Sequence, residues 1–181
     1  MEELKNIFLR IEPDPILRQK SASVAGGELS AVPALAAKMA EIMYDREGVG
    51  ISAVQVGILK RIIVIDRGAI LSREGKASTN DLLCLVNPEI VDVATDECSY
   101  EEGCLSVPTV YSSVYRPSSV DIEYIDERGS KKSLRADKLL GRCILHEMDH
   151  LEGKLFIDYL SPLKRHFALA KLKKLARRTT L

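Results

Sequence analysis

GRCILHEMDHLEGK, residues 141–154, decides how the rest of the chain is read. Two histidines stand four apart, His146 and His150, with Glu147 directly after the first. Ahead of them Leu139, Leu140, Cys143, Ile144 and Leu145 recur at helical spacing, and Gly153 supplies a stop. On a helix, positions four apart share one face, about 5–6 Å apart at Cβ. His146 and His150 can therefore aim two imidazoles at one ion. Glu147 lies about 100° round the helix from His146 and can reach a water on that ion without ligating it. This is the H-E-x-x-H pattern, in which the glutamate acts as general base. The alternative is an amphipathic helix with two incidental histidines. The chain has three histidines in all, and two are here, which favours the metal.

Composition sets the frame. At 181 residues the chain is expected to form one domain, residues 1–181, with a core of its own. It is 46% hydrophobic and 29% charged, the balance of an ordinary globular protein. No apolar run approaches the ~18 residues of a membrane span, so no membrane partner is expected. The opening MEELKNIFLRIEPDP carries early acids and no long apolar stretch, so no signal peptide is read. Cys84, Cys98, Cys104 and Cys143 form no C-x-x-C pair, which argues against a disulfide framework and for a reducing compartment, the cytoplasm.

Charge is distributed unevenly. The net charge is zero, yet residues 159–181 hold seven cations and no acid. Residues 1–158 hold 19 basic and 26 acidic residues, a balance of −7. An acidic body with a basic tail points to an interaction made by the tail.

Along the chain, Glu28 to about Arg46 reads as a helix with Val32, Leu35, Met39, Ile42 and Met43 on one face and Ser30 as N-cap. EGVGISAVQVG then breaks it. RIIVID, residues 61–66, is a buried strand, and the polar stretch at 67–81 reads as a loop. LLCLVNPEIVDV gives a strand and an Asn-Pro turn. SSVDIEYID and KKSLRA flank ERGS as a hairpin. LSPLKRHFALAKLKKLARR is a final helix with Ser161 as N-cap and Pro162 at its first position. Its apolar residues Leu163, Phe167, Leu169 and Leu172 are expected to pack on the body. Hairpins mixed with three helices, without regular βαβ units, indicate an α+β fold.

GVGISA before IIVID has a passing likeness to a dinucleotide fingerprint, with Asp66 at a suitable distance. That motif needs a strand before its glycines and a helix after. Here the order is reversed, which argues against it. Close backbone approach to a ligand is the better functional use of these glycines. Gln55, polar within an apolar stretch, becomes a candidate site group.

A catalytic site of this kind needs a third protein ligand and an open position for water. Downstream, the histidine position six after His150 holds Phe156, and no glutamate follows Glu152. Asp158 and His166 remain there. Upstream, the cysteines are stronger candidates, because thiolate suits such metals. Cys104 lies in EEGCLSVP at a rim strand, Cys84 reads as buried filler, and Cys143 precedes His146 by three.

Three segments together, GVGISAVQ (48–55), EGCLS (102–106) and HEMDHLEG (146–153), resemble the peptide deformylase family. PDPILR near the start and KLFIDYLSPLK near the end are also similar to bacterial members. The resemblance implies antiparallel sheets packed around a central metal-binding helix, with a C-terminal helix. It implies a hydrolase of co-translational N-terminal processing that removes the formyl group from formylmethionyl nascent polypeptides and releases formate. Cys104, His146 and His150 would bind one divalent ion, ferrous iron in the cell, with zinc, nickel or cobalt able to substitute. Glu147 would be the general acid/base, with Gln55 and the backbone N–H of Leu105 holding the developing oxyanion. Val49, Gly50, Glu102 and Leu139 match substrate-pocket positions. The basic helix at 161–181 would dock on the ribosome. Three residues depart from the family's usual pattern: Ser52 in place of alanine, Leu145 in place of glutamine, and Tyr111 where some bacterial members carry arginine. A general metallopeptidase or a closed structural metal site in an RNA-binding module would be the rival readings.

Overall fold

The computed structural model describes residues 7–75 and 81–179, and side chains of the last helix as far as Leu175. The start of the opening segment, residues 76–80 of the expected loop, the side chains of Arg177 and Arg178, and residues 180–181 lie outside the described residues.

β1 (Gly50–Ser52), β2 (Ile62–Asp66), β3 (Leu82–Val93), β6 (Ser119–Ile125) and β7 (Lys131–Asp137) form one antiparallel sheet in the order β1-β2-β3-β6-β7. β4 (Glu97–Cys104) and β5 (Val107–Pro117) form a separate antiparallel hairpin. α1 (Val32–Tyr44) covers one face of the large sheet, and α3 (Lys138–Leu151) covers the other. The alternation of β2 explains its unbroken apolar sequence. Ile62 and Val64 pack beneath α1, while Ile63 and Ile65 pack beneath α3, so every position meets a core. α3 also touches β5, which places it between the sheet and the hairpin. The chain is α+β, with antiparallel sheets around a central helix and a C-terminal helix, α4 (Pro162–Thr179).

Four local expectations are corrected. The first helix begins at Val32 after a 3-10 segment, Gly26–Ala31, so Ser30 is not its cap. Part of the expected loop after β2 is a helix, α2 (Arg67–Arg73), because Asp66 accepts a hydrogen bond from the Ala69 N–H at 2.8 Å and caps it. Asn87-Pro88 does not turn the chain. Asn87 takes a left-handed φ of 49° inside a continuous β3, at a shift in register between Val86 and Glu89. Its side chain accepts from the Val24 N–H and donates to the Val24 carbonyl, so a side-chain clamp replaces the turn. In α4, Ala168 and Leu172 bury against Val107, Val110 and Val114, with Leu169 partly buried, whereas Leu163 and Phe167 are 66% and 64% exposed. The buried stripe is narrower than the apolar pattern.

Other local readings hold. The 119–137 hairpin pairs in register from Ser119↔Asp137 to Ile125↔Lys131. Gly153 adopts a φ of +73° after α3, and a Cβ there would meet the Arg18 carbonyl oxygen at 2.5 Å. No helix among the described residues is long and apolar enough to cross a membrane.

Candidate metal centre

α3 is buried on nearly all sides over Gly141–Met148, with His150 and Leu151 also buried. That is why a helix with two histidines and a glutamate can hold them away from water. The His146 and His150 rings lie 5.0 Å apart, edge to face. Cys104 reaches them from the end of β4. The β4–β5 register shifts between Gly103 and Cys104, and the chain turns tightly through Leu105 and Ser106. This delivers the Cys104 Sγ to 3.3 Å from His150 Nε2. One ligand atom from each of Cys104, His146 and His150 lies within 4.8 Å of the others, the one such group among the described residues. A cysteine sulfur and two imidazole nitrogens, with no fourth such side chain grouped with them among the described residues, fit the donor set of an open site for a borderline-soft divalent ion.

Behind these three residues lies a buried ionic network. Glu102 Oε2 is 2.9 Å from His146 Nδ1. Arg116 donates to both Glu102 oxygens, at 2.7 and 3.0 Å, and Arg142 donates to Oε1 at 2.9 Å. Burial opposes the charge on Glu102, but His146 and Arg116 outweigh it and hold the carboxyl well below the usual range. An ionised Glu102 keeps the proton on His146 Nδ1 and leaves Nε2 free to ligate. Arg116 continues the chain to Asp149 at 2.6 Å, and Asp149 accepts from the Tyr159 hydroxyl. With three side chains on its carboxylate and 5% exposure, Glu102 is engaged behind Cys104, His146 and His150.

Glu147 stands beside the ligand cluster, 3% exposed, with Oε2 unpartnered. Burial, the largest influence, pushes its carboxyl up to about 7. Gly50 permits this placement. A Cβ on Gly50 would meet Cys143 Sγ at 2.6 Å and Glu147 Oε1 at 3.0 Å. Gln55 donates from Nε2 to Ser106 Oγ at 3.1 Å, and its Nε2 lies 3.6 Å from Cys104 Sγ. Leu105 directly follows Cys104 in the turn.

Val49 and Leu139 flank the same core cluster that contains Cys143. Asp158 pairs with Arg18 and Arg165, away from the cluster. Cys84 is buried in the sheet, and burial pushes its thiol up to about 12. Sequence reasoning missed Arg116, Arg142 and Asp149. A signal existed for Arg142, a cation inside the apolar run four before His146, because a buried arginine requires a partner. Arg116 had no local signal.

A family model described as polypeptide deformylase matches residues 8–166. The chain belongs to that family. It is 44% identical over 169 residues to a peptide deformylase of Agrobacterium fabrum, covering 93% of this chain and 95% of that one. It is 46% identical over 162 residues to one of Hyphomonas neptunium, covering 90% and 89%. A crystal structure of a peptide deformylase from Legionella pneumophila aligns with a TM-score of 0.85 at 37% identity, over 95% of this chain and 96% of that one. One from Ehrlichia chaffeensis, in complex with actinonin, aligns with a TM-score of 0.83 at 36% identity, over 94% and 98%. The chain is a metal-dependent hydrolase that removes the N-formyl group from nascent polypeptides.

Proposed function

We propose that Cys104, His146 and His150 hold the catalytic ion of this deformylase and that residues 1–181 act as one catalytic domain. The observation that carries the reading is the convergence of one sulfur and two ring nitrogens within 4.8 Å, beside a glutamate that is not among them. When bound, the ion supplies a Lewis acid and makes a water acidic enough to attack at neutral pH. Glu147 would take a proton from the attacking water at a carboxylate oxygen and deliver it to the leaving nitrogen, as the water oxygen bonds to the formyl carbon and the C–N bond breaks to give formate and a free amine. Gln55 Nε2 and the Leu105 N–H donate to the oxygen that gains charge on the formyl carbon. Val49, Gly50 and Leu139 wall the methionine side chain. Glu102 orients His146. Ferrous iron is the cellular ion in this reading, with zinc, nickel or cobalt able to replace it, since imidazole and thiolate suit all of them.

The reaction belongs in the cytoplasm, where formylmethionyl chains emerge and where the four free cysteines stay reduced. The basic helix α4 docks on the ribosome. Lys164, Lys173 and Lys174 are exposed there, on a chain whose remaining part is acidic. A contact made to RNA phosphates weakens steeply with salt. Co-sedimentation with ribosomes is expected to fall on replacing these three lysines with serine, and unchanged binding refutes the docking. The central test is formate release from a formylmethionyl peptide by iron-loaded protein under anaerobic conditions. Release from the formyl peptide and none of acetate from its acetyl counterpart is the expected result. Cleavage of internal peptide bonds instead would favour a general metallopeptidase.

A further inference from the structure

Ser52 is fully buried and stands where β1 runs into the glutamine turn. Its backbone N–H donates to Gln55 Oε1 at 2.8 Å, and its Oγ donates to the same oxygen at 3.0 Å. Two donors on one atom fix the sense of the amide. The flipped amide would set an NH2 group against the Ser52 N–H, donor to donor. The correct sense sends Nε2 to the opposite side, toward Ser106 Oγ and Cys104 Sγ. The terminal torsion of glutamine is soft, so the bonds from the Ser52 N–H and to Ser106 Oγ alone hold the carboxamide less firmly. The hydroxyl adds a second donor at Oε1 and tightens that hold. The alanine usual at this place in the family motif would keep the backbone donor and lack the hydroxyl.

We propose that Ser52 is a positioning residue for deformylation, its hydroxyl locking the Gln55 carboxamide with the NH2 aimed at the reacting oxygen. The inference rests on Gln55 being an oxyanion donor. It acts on turnover rather than on peptide affinity, because the donor matters most as charge develops.

The test is a double-mutant cycle in the metal-loaded enzyme on a formylmethionyl peptide, using Ser52→Ala, Gln55→Ala and the pair. Ser52→Ala is expected to lower kcat about three- to tenfold, the range of one neutral hydrogen bond, with KM within about twofold. Metal-to-protein ratio and melting temperature are expected to stay near those of the parent. In the Gln55→Ala background the same serine change is expected to alter kcat less than about twofold, since nothing remains to be held. A loss of equal factor in both backgrounds would assign Ser52 a general structural role and overturn the inference. So would an unchanged kcat in Ser52→Ala while Gln55→Ala is impaired. Full turnover in Gln55→Ala would overturn the oxyanion reading itself, and the Ser52 inference with it.

Discussion

α3 and α4 are both helices with apolar and charged residues, yet the protein uses them in opposite ways. α3 is enclosed between sheet and hairpin, and Arg142, His146, Glu147 and His150 on it are buried, with Lys138 exposed at its start and Asp149 partly buried. α4 buries only Ala168 and Leu172 fully among its described residues, while Leu163, Phe167 and most of its lysines face outward. Where water is excluded, a charge must be answered by a neighbour, and its proton affinity becomes adjustable. That is why Arg142 and Asp149 of α3 converge with Glu102 and Arg116 of the hairpin, and why burial pushes the Glu147 carboxyl up to about 7. On α4 the described cations are exposed, with Arg165 paired with Asp158 and Lys171 donating to the Thr109 carbonyl. Changes near α3 should therefore alter chemistry, and changes on the outer face of α4 should not.

The largest effect is expected from Cys104→Ala, which removes the one proposed ligand outside α3. Metal and turnover should both be lost, while Cys84→Ala keeps both. Elemental analysis and formate release check it, and a metal-loaded, active Cys104→Ala protein would remove the contrast between the two cysteines.

Glu102→Gln comes next. It keeps the shape but weakens the acceptor for His146 Nδ1 and leaves Arg116 and Arg142 undercompensated. Metal affinity or activity should fall about 10–100-fold, the usual cost of losing a partner of a metal-bound histidine. A chelator competition titration measures the affinity.

The pH profile sharpens the comparison further. Glu147 must be ionised to accept the proton of the attacking water, and burial raises its pKa to about 7. Below that pH the protonated fraction grows, so kcat/KM should fall about tenfold per unit on the acid side and level off above it. A flat profile down to pH 5 would show that Glu147 is not the group that must lose its proton.

The smallest effects belong to the exposed face of α4. Phe167→Ser, at a position 64% exposed, should change stability by no more than about 0.5 kcal/mol and leave short-peptide hydrolysis unaltered. Leu172→Ala opens the contact with β5 and should cost about 2–5 kcal/mol. Urea unfolding of both variants would show whether the buried stripe is as narrow as it looks.

The sequence made parts of this arrangement legible for physical reasons. H-E-x-x-H spacing and the unbroken IIVI run report short-range geometry, a shared helix face and a strand covered on both sides. The proposed third ligand is not fixed by spacing, because Cys104 joins the histidines only through a hairpin 42 residues earlier, and the residues alone leave several cysteines open. The resemblance of EGCLS singled it out. Arg116 was invisible for the same reason, since its partners lie on β4 and α3. Asp66 was read beside the glycines, and its use was local instead, as a cap for α2 and an acceptor for Tyr44. The outward turn of Phe167 could not be read from helical periodicity alone, because the pattern offers a wide apolar face and β5 covers only one stripe of it.

The central claim is that Glu147 works beside the ion without holding it. The measurement that tests this most directly is the metal-to-protein ratio of purified Glu147→Gln, determined together with its turnover on a formylmethionyl peptide. The account predicts a ratio equal to that of the parent, with turnover reduced about 10²–10⁴-fold. A ratio that falls in step with turnover would contradict it and make Glu147 part of the metal's hold.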